Sequence, residues 1–94
     1  MPQAEADLRA IREYYEHVAP DYAQTFVDGA LETTRRLEAF PRLGRIVPKI
    51  GDEDLRELIY RHYRIVYIVD AEDERVDILT VFHSAKEFGT GDAP

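Results

Sequence analysis

The chain has 94 residues, of which 45% are hydrophobic and 33% charged, with a formal net charge of −7 and no cysteine. This length allows one small domain, expected to span residues 1–94, and the balanced composition argues against a disordered chain. The lack of cysteine excludes disulfides and thiolate chemistry, and the negative charge argues against broad electrostatic binding to nucleic acid.

The first forty residues predict two helices. From Ala4 to Val18, apolar residues recur every three or four positions, which places them on one stripe of a helix. Ala19-Pro20 should end that helix, because the residue before a proline disfavours the helical conformation. A second helix is predicted from Asp21, acting as its cap, to about Phe40. The link is so short that the two helices must form an antiparallel hairpin.

The second half of the chain predicts strands. Ile46–Ile50 reads as a short edge segment, Leu55–Arg61 and Tyr63–Val69 as a tight hairpin, and Arg75–His83 as a third strand. The third strand carries apolar residues on both faces, so it is expected to be central and covered on both sides. Gly89–Pro94 is expected to fray.

Helices followed by an antiparallel meander indicate an α+β fold. The helical hairpin should pack on one face of a three- to four-stranded antiparallel sheet. Because it can cover only that face, the opposite face must stay open or bind a partner. Function is therefore expected on the open face.

Charge is unevenly distributed along the sequence. Residues 42–64 contain six basic and four acidic residues, a local charge of +2 between acidic flanks. This band is either an ordinary solvated surface or a surface that faces an acidic partner. Its basic residues are Arg42, Arg45, Lys49, Arg56, Arg61 and Arg64.

Some side chains are candidates for function, each with a structural alternative. His83 could act as a general base because its ordinary pKa lies near neutrality, or it could be a satisfied residue at the edge of the core. Tyr60 and Tyr63 could contact a partner or simply pack. Arg56 and Arg64 could bind a target or satisfy carbonyls and cross-strand acids. Lys86, beyond the last strand, is the best placed cation for target contact.

The sequence predicts no metal site or cofactor, and a cytoplasmic location. The three histidines are too scattered for a metal-binding motif. The amino terminus has neither a basic patch nor an apolar core of signal-peptide type. No apolar run approaches the roughly 18–20 residues that cross a bilayer.

Five segments in this order resemble the RelE/ParE superfamily of bacterial toxins. They are AEADLRAIREYYE, LEAFPRLGR, LREL, YRIVYIV and ILTVFH, the last followed by Lys86. The resemblance implies the toxic half of a type II toxin–antitoxin pair, of the kind called plasmid stabilisation proteins. It also implies a cognate antitoxin as partner, contact with operator DNA only through that antitoxin, and a homo- or hetero-oligomer.

Two departures from the superfamily pattern matter. Members usually have a short strand before the first helix, whereas only three residues precede AEADL here. The branch that cuts mRNA carries lysines and an arginine at positions that fall, by spacing, on Leu55, Glu57, Ile59 and Ser84. Those residues cannot form the cationic clamp that phosphodiester cleavage needs.

The second departure favours the ParE branch, which poisons DNA gyrase by binding and is not a nuclease. One alternative is a RelE-like mRNA interferase that uses His83, Arg56 and Lys86. Another is a non-toxic module that only binds an antitoxin. The residues expected to contact target or antitoxin are Arg45, Lys49, Arg56, Tyr60, Arg61, Tyr63, Arg64, His83 and Lys86.

Overall fold

Two helices precede four antiparallel strands in the computed structural model, which describes residues 2–85. The elements are α1 (Pro2–Val18), α2 (Pro20–Arg35) with a 3-10 turn at Arg36–Glu38, β1 (Arg45–Ile46), β2 (Leu55–Tyr60), β3 (Tyr63–Asp70) and β4 (Arg75–His83). The strands form one sheet in the order β1-β2-β3-β4. The predicted α+β fold, a helical hairpin on an antiparallel sheet, is confirmed.

The helix boundaries differ in detail from the prediction. α2 begins at Pro20, whose fixed φ suits the first helical position, and Ala19 occupies the cap without a side-chain hydrogen bond. The predicted cap at Asp21 was therefore wrong. Asp21 lies in the first helical turn, where its negative charge favours the helix dipole. The regular helix ends at Arg35 rather than near Phe40.

The main core lies between the helical hairpin and one sheet face. Phe26 of α2 is fully buried and packs with Tyr63 and Ile65 of β3 and Val81 of β4. The ring of Phe26 lies 5.1 Å from the ring of Tyr63, nearly edge to face. The partly buried Tyr15 and Tyr22 complete this aromatic cluster from the helices.

A second apolar cluster lies on the opposite side of the sheet, which we call the open face. Val47, just after β1, is buried against Leu55 and Val66. Ile68 and Leu79 pack around this cluster and stay half-exposed. The open face is thus partly covered by the chain that follows β1, and the helices cover the other face.

The predicted central position of the last strand was wrong. β4 lies at the edge of the sheet and pairs with β3, because consecutive strands of a meander are neighbours. Both faces of β4 are apolar because each packs on a different cluster: Ile78 and Val81 lie in the helix-side core, and Leu79 lies against the cluster of the open face.

α1 satisfies part of the β4 edge. Asp7 Oδ2 accepts hydrogen bonds from the Val81 amide at 3.1 Å and from the Thr80 hydroxyl at 2.5 Å. Within residues 2–85 no strand precedes α1, which begins at Pro2. None of the helices in this range has the length and apolarity needed to cross a bilayer. The predicted tail at 89–94 lies outside the described residues.

Candidate functional site

A buried glutamate is the centre of the open face. Strand alternation places Leu55, Glu57 and Ile59 of β2 on this face. Glu57 is only 1% exposed. Its Oε2 accepts a hydrogen bond from Arg45 Nε at 2.6 Å, and Arg64 Nη1 lies 3.5 Å from Oε1. We call this group the Arg45–Glu57–Arg64 cluster.

Strand register brings the cluster together. Arg45 of β1 pairs directly with Glu57 of β2, and Arg64 of β3 pairs with Ile59, one step along the same face. Burying a lone carboxylate is costly, so two guanidinium groups at this carboxylate offset its desolvation. The cluster has a net charge of +1, since two cations surround one anion.

The Arg56 side chain lies on the face opposite to the open face and binds backbone carbonyls of the segments that precede β1 and β2. Its Nε donates to the carbonyl of Glu53 at 2.8 Å, and its Nη1 donates to those of Gly44 at 2.9 Å and Arg42 at 3.3 Å. Three backbone acceptors thus engage one guanidinium. Contact of Arg56 with a target stays a prediction.

Gly44 and Tyr67 form a buried hydrogen bond, which we call the buried joint, next to the Arg56 contacts. The Gly44 amide donates to the Tyr67 hydroxyl at 2.8 Å. Burial raises the pKa of Tyr67, although the hydrogen bond from Gly44 acts in the opposite direction. A Cβ atom on Gly44 would lie 2.5 Å from the Glu57 carbonyl oxygen, so only glycine fits without a shift. The hydrogen bond to Tyr67 and the close packing against β2 thus fix the position of Gly44, the residue that precedes Arg45.

Tyr60 and Arg61 lie together where β2 turns into β3. The Tyr60 hydroxyl donates to the Phe26 carbonyl at 3.0 Å and accepts from Arg61 Nε at 3.1 Å. The Arg61 guanidinium also lies 5.3 Å from the centre of the Tyr22 ring and 5.4 Å from that of Tyr60. The hydrogen bond to Tyr60 raises the pKa of Arg61. Arg61 remains exposed, so this aromatic support holds a cation at the surface.

His83 ends β4 beside Tyr63. The two rings are 5.4 Å apart and nearly perpendicular, and the ring of His62 stacks on His83 at 6.5 Å. His83 Nδ1 accepts a hydrogen bond from the Ala85 amide at 3.1 Å. Burial raises the pKa of Tyr63. His83 thus has packing and hydrogen-bonding partners that fit a structural role.

The three residues of the ribonuclease hypothesis are not brought together within the described chain. Arg56 pairs with Tyr67, whereas His83 pairs with Tyr63, four residues away along β3. That separation is roughly 13 Å along the strand alone. Lys86, the third residue of the hypothesis, lies outside the described residues.

The remaining predicted contact residues fall into separate places. Lys49 is exposed in the connection between β1 and β2. Ser84, one of the positions that replace the interferase cations, donates its amide to the His62 carbonyl at 2.8 Å. Of the predicted contact residues, the structure brings Arg45 and Arg64 together at Glu57, Tyr60 together with Arg61, and Tyr63 together with His83.

Sequence reasoning missed the role of Glu57 and a groove on the helix side. In the sequence, Glu57 marks a position without the interferase cation and an acid that Arg56 could pair with; its alternation with the apolar Leu55 and Ile59 is the signal for an acid on a partly apolar face. The groove has a volume of about 1000 Å³ and lies between the end of α2 and the β3–β4 turn. Among residues 2–85, no group of three or more acids and histidines is arranged to hold a metal ion.

The chain matches a known protein family over most of its length. The family model for the ParE toxin of the type II toxin–antitoxin system, parDE, matches residues 1–88. That range contains both helices, all four strands and every residue of the open face named above. No match was found among curated proteins.

Proposed function

The chain belongs to the ParE toxin family of type II toxin–antitoxin systems, and we propose that it arrests bacterial growth by binding DNA gyrase. In this proposal the toxin blocks its target without cutting nucleic acid, and a cognate antitoxin neutralises it. Gyrase is chosen because the sequence resembles the branch of the superfamily that poisons this enzyme. The action would take place in the cytoplasm, where gyrase works on DNA.

The buried Glu57 is the observation that carries the proposal. Cleavage of a phosphodiester needs cations where charge develops on the phosphate, and a base to activate the 2′-hydroxyl. At the positions expected to supply cations, β2 instead presents Leu55, Ile59 and the acid Glu57. Arg45 and Arg64, which lie at this carboxylate, are already paired with it. This arrangement supports binding rather than catalysis.

The placement of Arg56 and His83 argues in the same direction. Arg56 is engaged by three backbone carbonyls, and His83 lies about four strand positions away from it. A general base needs to lie within hydrogen-bond reach of the group it activates, together with the groups that stabilise the developing charge. The interferase alternative would have to assemble its site from residues that lie far apart.

A supercoiling assay with purified gyrase tests this proposal. Relaxed plasmid, ATP and gyrase are incubated with increasing amounts of the purified chain, and supercoiled product is measured on a gel. We expect loss of supercoiling or accumulation of cleaved plasmid, both by the wild type and by His83→Ala. Full gyrase activity at saturating protein, combined with cleavage of mRNA that His83→Ala abolishes, would favour the interferase instead.

Expression in bacteria separates the third possibility from the other two. A chain that leaves growth untouched when produced in soluble, folded form would be an antitoxin-binding module rather than a toxin. We expect growth to stop, and co-expression of the cognate antitoxin to restore it. Because restoration requires binding, the same experiment reports on the partner.

A further inference from the structure

The turn between β2 and β3 holds an arginine in a backbone conformation that this residue type rarely adopts. Tyr60 pairs with Tyr63, so Arg61 and His62 alone form the turn. Arg61 has a φ of +55°, and among residues 2–85 only Glu74 shares a positive φ without being glycine. Two-residue hairpin turns favour glycine or asparagine at such a position. The chain thus keeps an arginine where glycine would be less strained, and backbone strain of this kind clusters at functional sites.

Side-chain contacts orient Arg61 without neutralising its charge. Its Nε donates to the Tyr60 hydroxyl, and its guanidinium lies 5.3 Å from the centre of the Tyr22 ring. Within the described part of the chain no carboxylate pairs with Arg61, whereas Arg42 and Arg75 both pair with acids. Arg61 is exposed, so N–H donors of its guanidinium are left to a partner. The turn therefore presents a cation that is already held in place.

We propose that Arg61 and the tyrosines that support it form a contact surface for an acidic patch on the target protein, with the guanidinium binding a carboxylate of that patch. The inference rests on the proposed function for the identity of that target, gyrase. It adds the surface of the chain that meets the target, the chemistry of the partner and a reason for the strained turn. We call Tyr14, Val18, Tyr22, Tyr60 and Arg61 together the turn surface.

The helical hairpin supplies the apolar part of the turn surface. The Tyr22 ring, which supports Arg61, contacts the Tyr15 ring edge to face at 4.9 Å, and Tyr15 in turn contacts Tyr14 at 5.2 Å. Tyr14 and Val18 are each 58% exposed, and their spacing places them on one face of α1. A chain of ring contacts thus connects the exposed end of α1 with the β2–β3 turn. Exposed apolar side chains beside a supported cation are typical of a protein–protein interface.

The partner that fits the turn surface is a protein rather than a nucleic acid. With a net charge of −7, the chain repels phosphates at long range, and nucleic-acid binding depends on several cations acting together. An acidic protein patch meets the same repulsion, but apolar contacts with Tyr14 and Val18 offset it. Arginine and tyrosine are among the residues that dominate binding between proteins. A guanidinium can receive a carboxylate through two parallel hydrogen bonds, which fixes the position of the partner.

Other exposed arginines lack this combination of charge and aromatic support. Both contacts between a cation and a ring found among residues 2–85 belong to Arg61. Arg35, at the end of α2, pairs with Glu32 instead. The next residue, Arg36, is exposed and lies about 20 Å from Tyr22 along the helix. Arg36 therefore offers a matched control for the charge of Arg61.

Binding to purified gyrase tests the turn surface directly. Gyrase holoenzyme is immobilised without DNA, and the affinity of the purified chain for it is measured by biolayer interferometry. We expect Arg61→Gly to weaken binding about tenfold or more, because an arginine contact to a carboxylate is lost. Arg36→Ala removes the same charge elsewhere and should leave the affinity unchanged. Equal affinities of wild type and Arg61→Gly, or an equal loss in both variants, would overturn the inference.

Stability separates a contact role of Arg61 from a structural one. Arg61→Gly loses the contacts with Tyr22 and Tyr60, but glycine adopts the left-handed conformation without strain. We expect its urea midpoint to equal or exceed that of the wild type, although binding is lost. A clearly lower midpoint would show that Arg61 stabilises the fold, and would refute the contact role. Arg61→Lys keeps the charge and should retain more binding than Arg61→Gly; an equal loss in both would refute an electrostatic contact.

Growth, gyrase activity and plasmid binding distinguish this inference from the proposed function. Growth arrest that Arg61→Gly loses and Arg36→Ala keeps, while gyrase stays fully active with the wild-type chain, would refute the gyrase proposal and leave the turn surface to another protein target. Inhibition of gyrase by Arg61→Gly as strong as that by wild type would refute the turn surface alone. Binding of the wild type to relaxed plasmid without gyrase, abolished in Arg61→Gly, would show contact with nucleic acid and overturn the choice of a protein partner.

Discussion

Replacement of Gly44 by alanine should disturb the chain more than any other small substitution in the segment before β1. The added Cβ would lie 2.5 Å from the Glu57 carbonyl oxygen and 2.8 Å from the Tyr67 hydroxyl. Ordinary contacts at such a carbon begin near 3.4 Å. The first neighbour is strand backbone and cannot rotate away, so the segment carrying Arg45 must move outward from β2.

The energetic cost follows from the contacts that this movement breaks. Overpacking of a tight site costs about 1–3 kcal/mol. Loss of the buried hydrogen bond from the Gly44 amide to Tyr67 adds about 1–3 kcal/mol. We therefore expect the free energy of unfolding to fall by about 2–6 kcal/mol, a large part of the stability of so small a domain. The melting temperature should fall by at least about 8 °C.

Gly51 offers a matched control for this substitution. It has a φ of +74° and nothing within 4 Å of an added Cβ. Gly51→Ala therefore meets only the backbone cost of the left-handed conformation, about 1–2 kcal/mol. Urea denaturation followed by circular dichroism measures both variants. A loss of stability in Gly44→Ala no greater than that in Gly51→Ala would refute the packing argument.

Three further outcomes are expected. Asp7→Asn should lower stability by about 1–2 kcal/mol, because the charged acceptor for Thr80 and Val81 is lost; an unchanged urea midpoint would show that α1 does not secure the β4 edge. Tyr67→Phe should cost about 1–3 kcal/mol by leaving the Gly44 amide unpaired, and a stability equal to wild type would contradict the buried joint. The raised pKa of Tyr67 means that the unfolded chain loses this proton first, so stability should be complete below about pH 10 and fall as pH rises through the folded pKa. Urea midpoints from pH 8 to 11 should fall less steeply in Tyr67→Phe, and identical slopes would contradict this.

Much of the fold could be predicted because local patterns and topology agree. The 3–4 spacing of apolar residues defines α1, and the Ala19-Pro20 pair sets its end at Val18. The α2 cap was misjudged because proline at the first helical position competes with the Asp21 alternative. The place of β4 was misjudged because apolar residues on both faces usually indicate a central strand. Here an edge strand is covered on both faces, by the helix-side core at Val81 and by the open-face cluster at Leu79.

The candidate site was predictable only in part. Alternation along β2 places Leu55, Glu57 and Ile59 on one face, and the resemblance made that face important. The ion pairs of Glu57 depend on the β1–β2 register, which a two-residue strand does not reveal in sequence. The separation of Arg56 from His83 likewise depends on which strand positions are paired, and this becomes visible only in three dimensions.

The order in which macromolecular synthesis fails tests the central claim most directly. Incorporation of labelled thymidine and labelled methionine is measured in bacteria during the first minutes after induced expression of the chain. The account predicts that DNA synthesis falls first and translation later, with His83→Ala behaving like wild type. An immediate collapse of methionine incorporation while DNA synthesis continues would contradict the claim that the chain acts on gyrase.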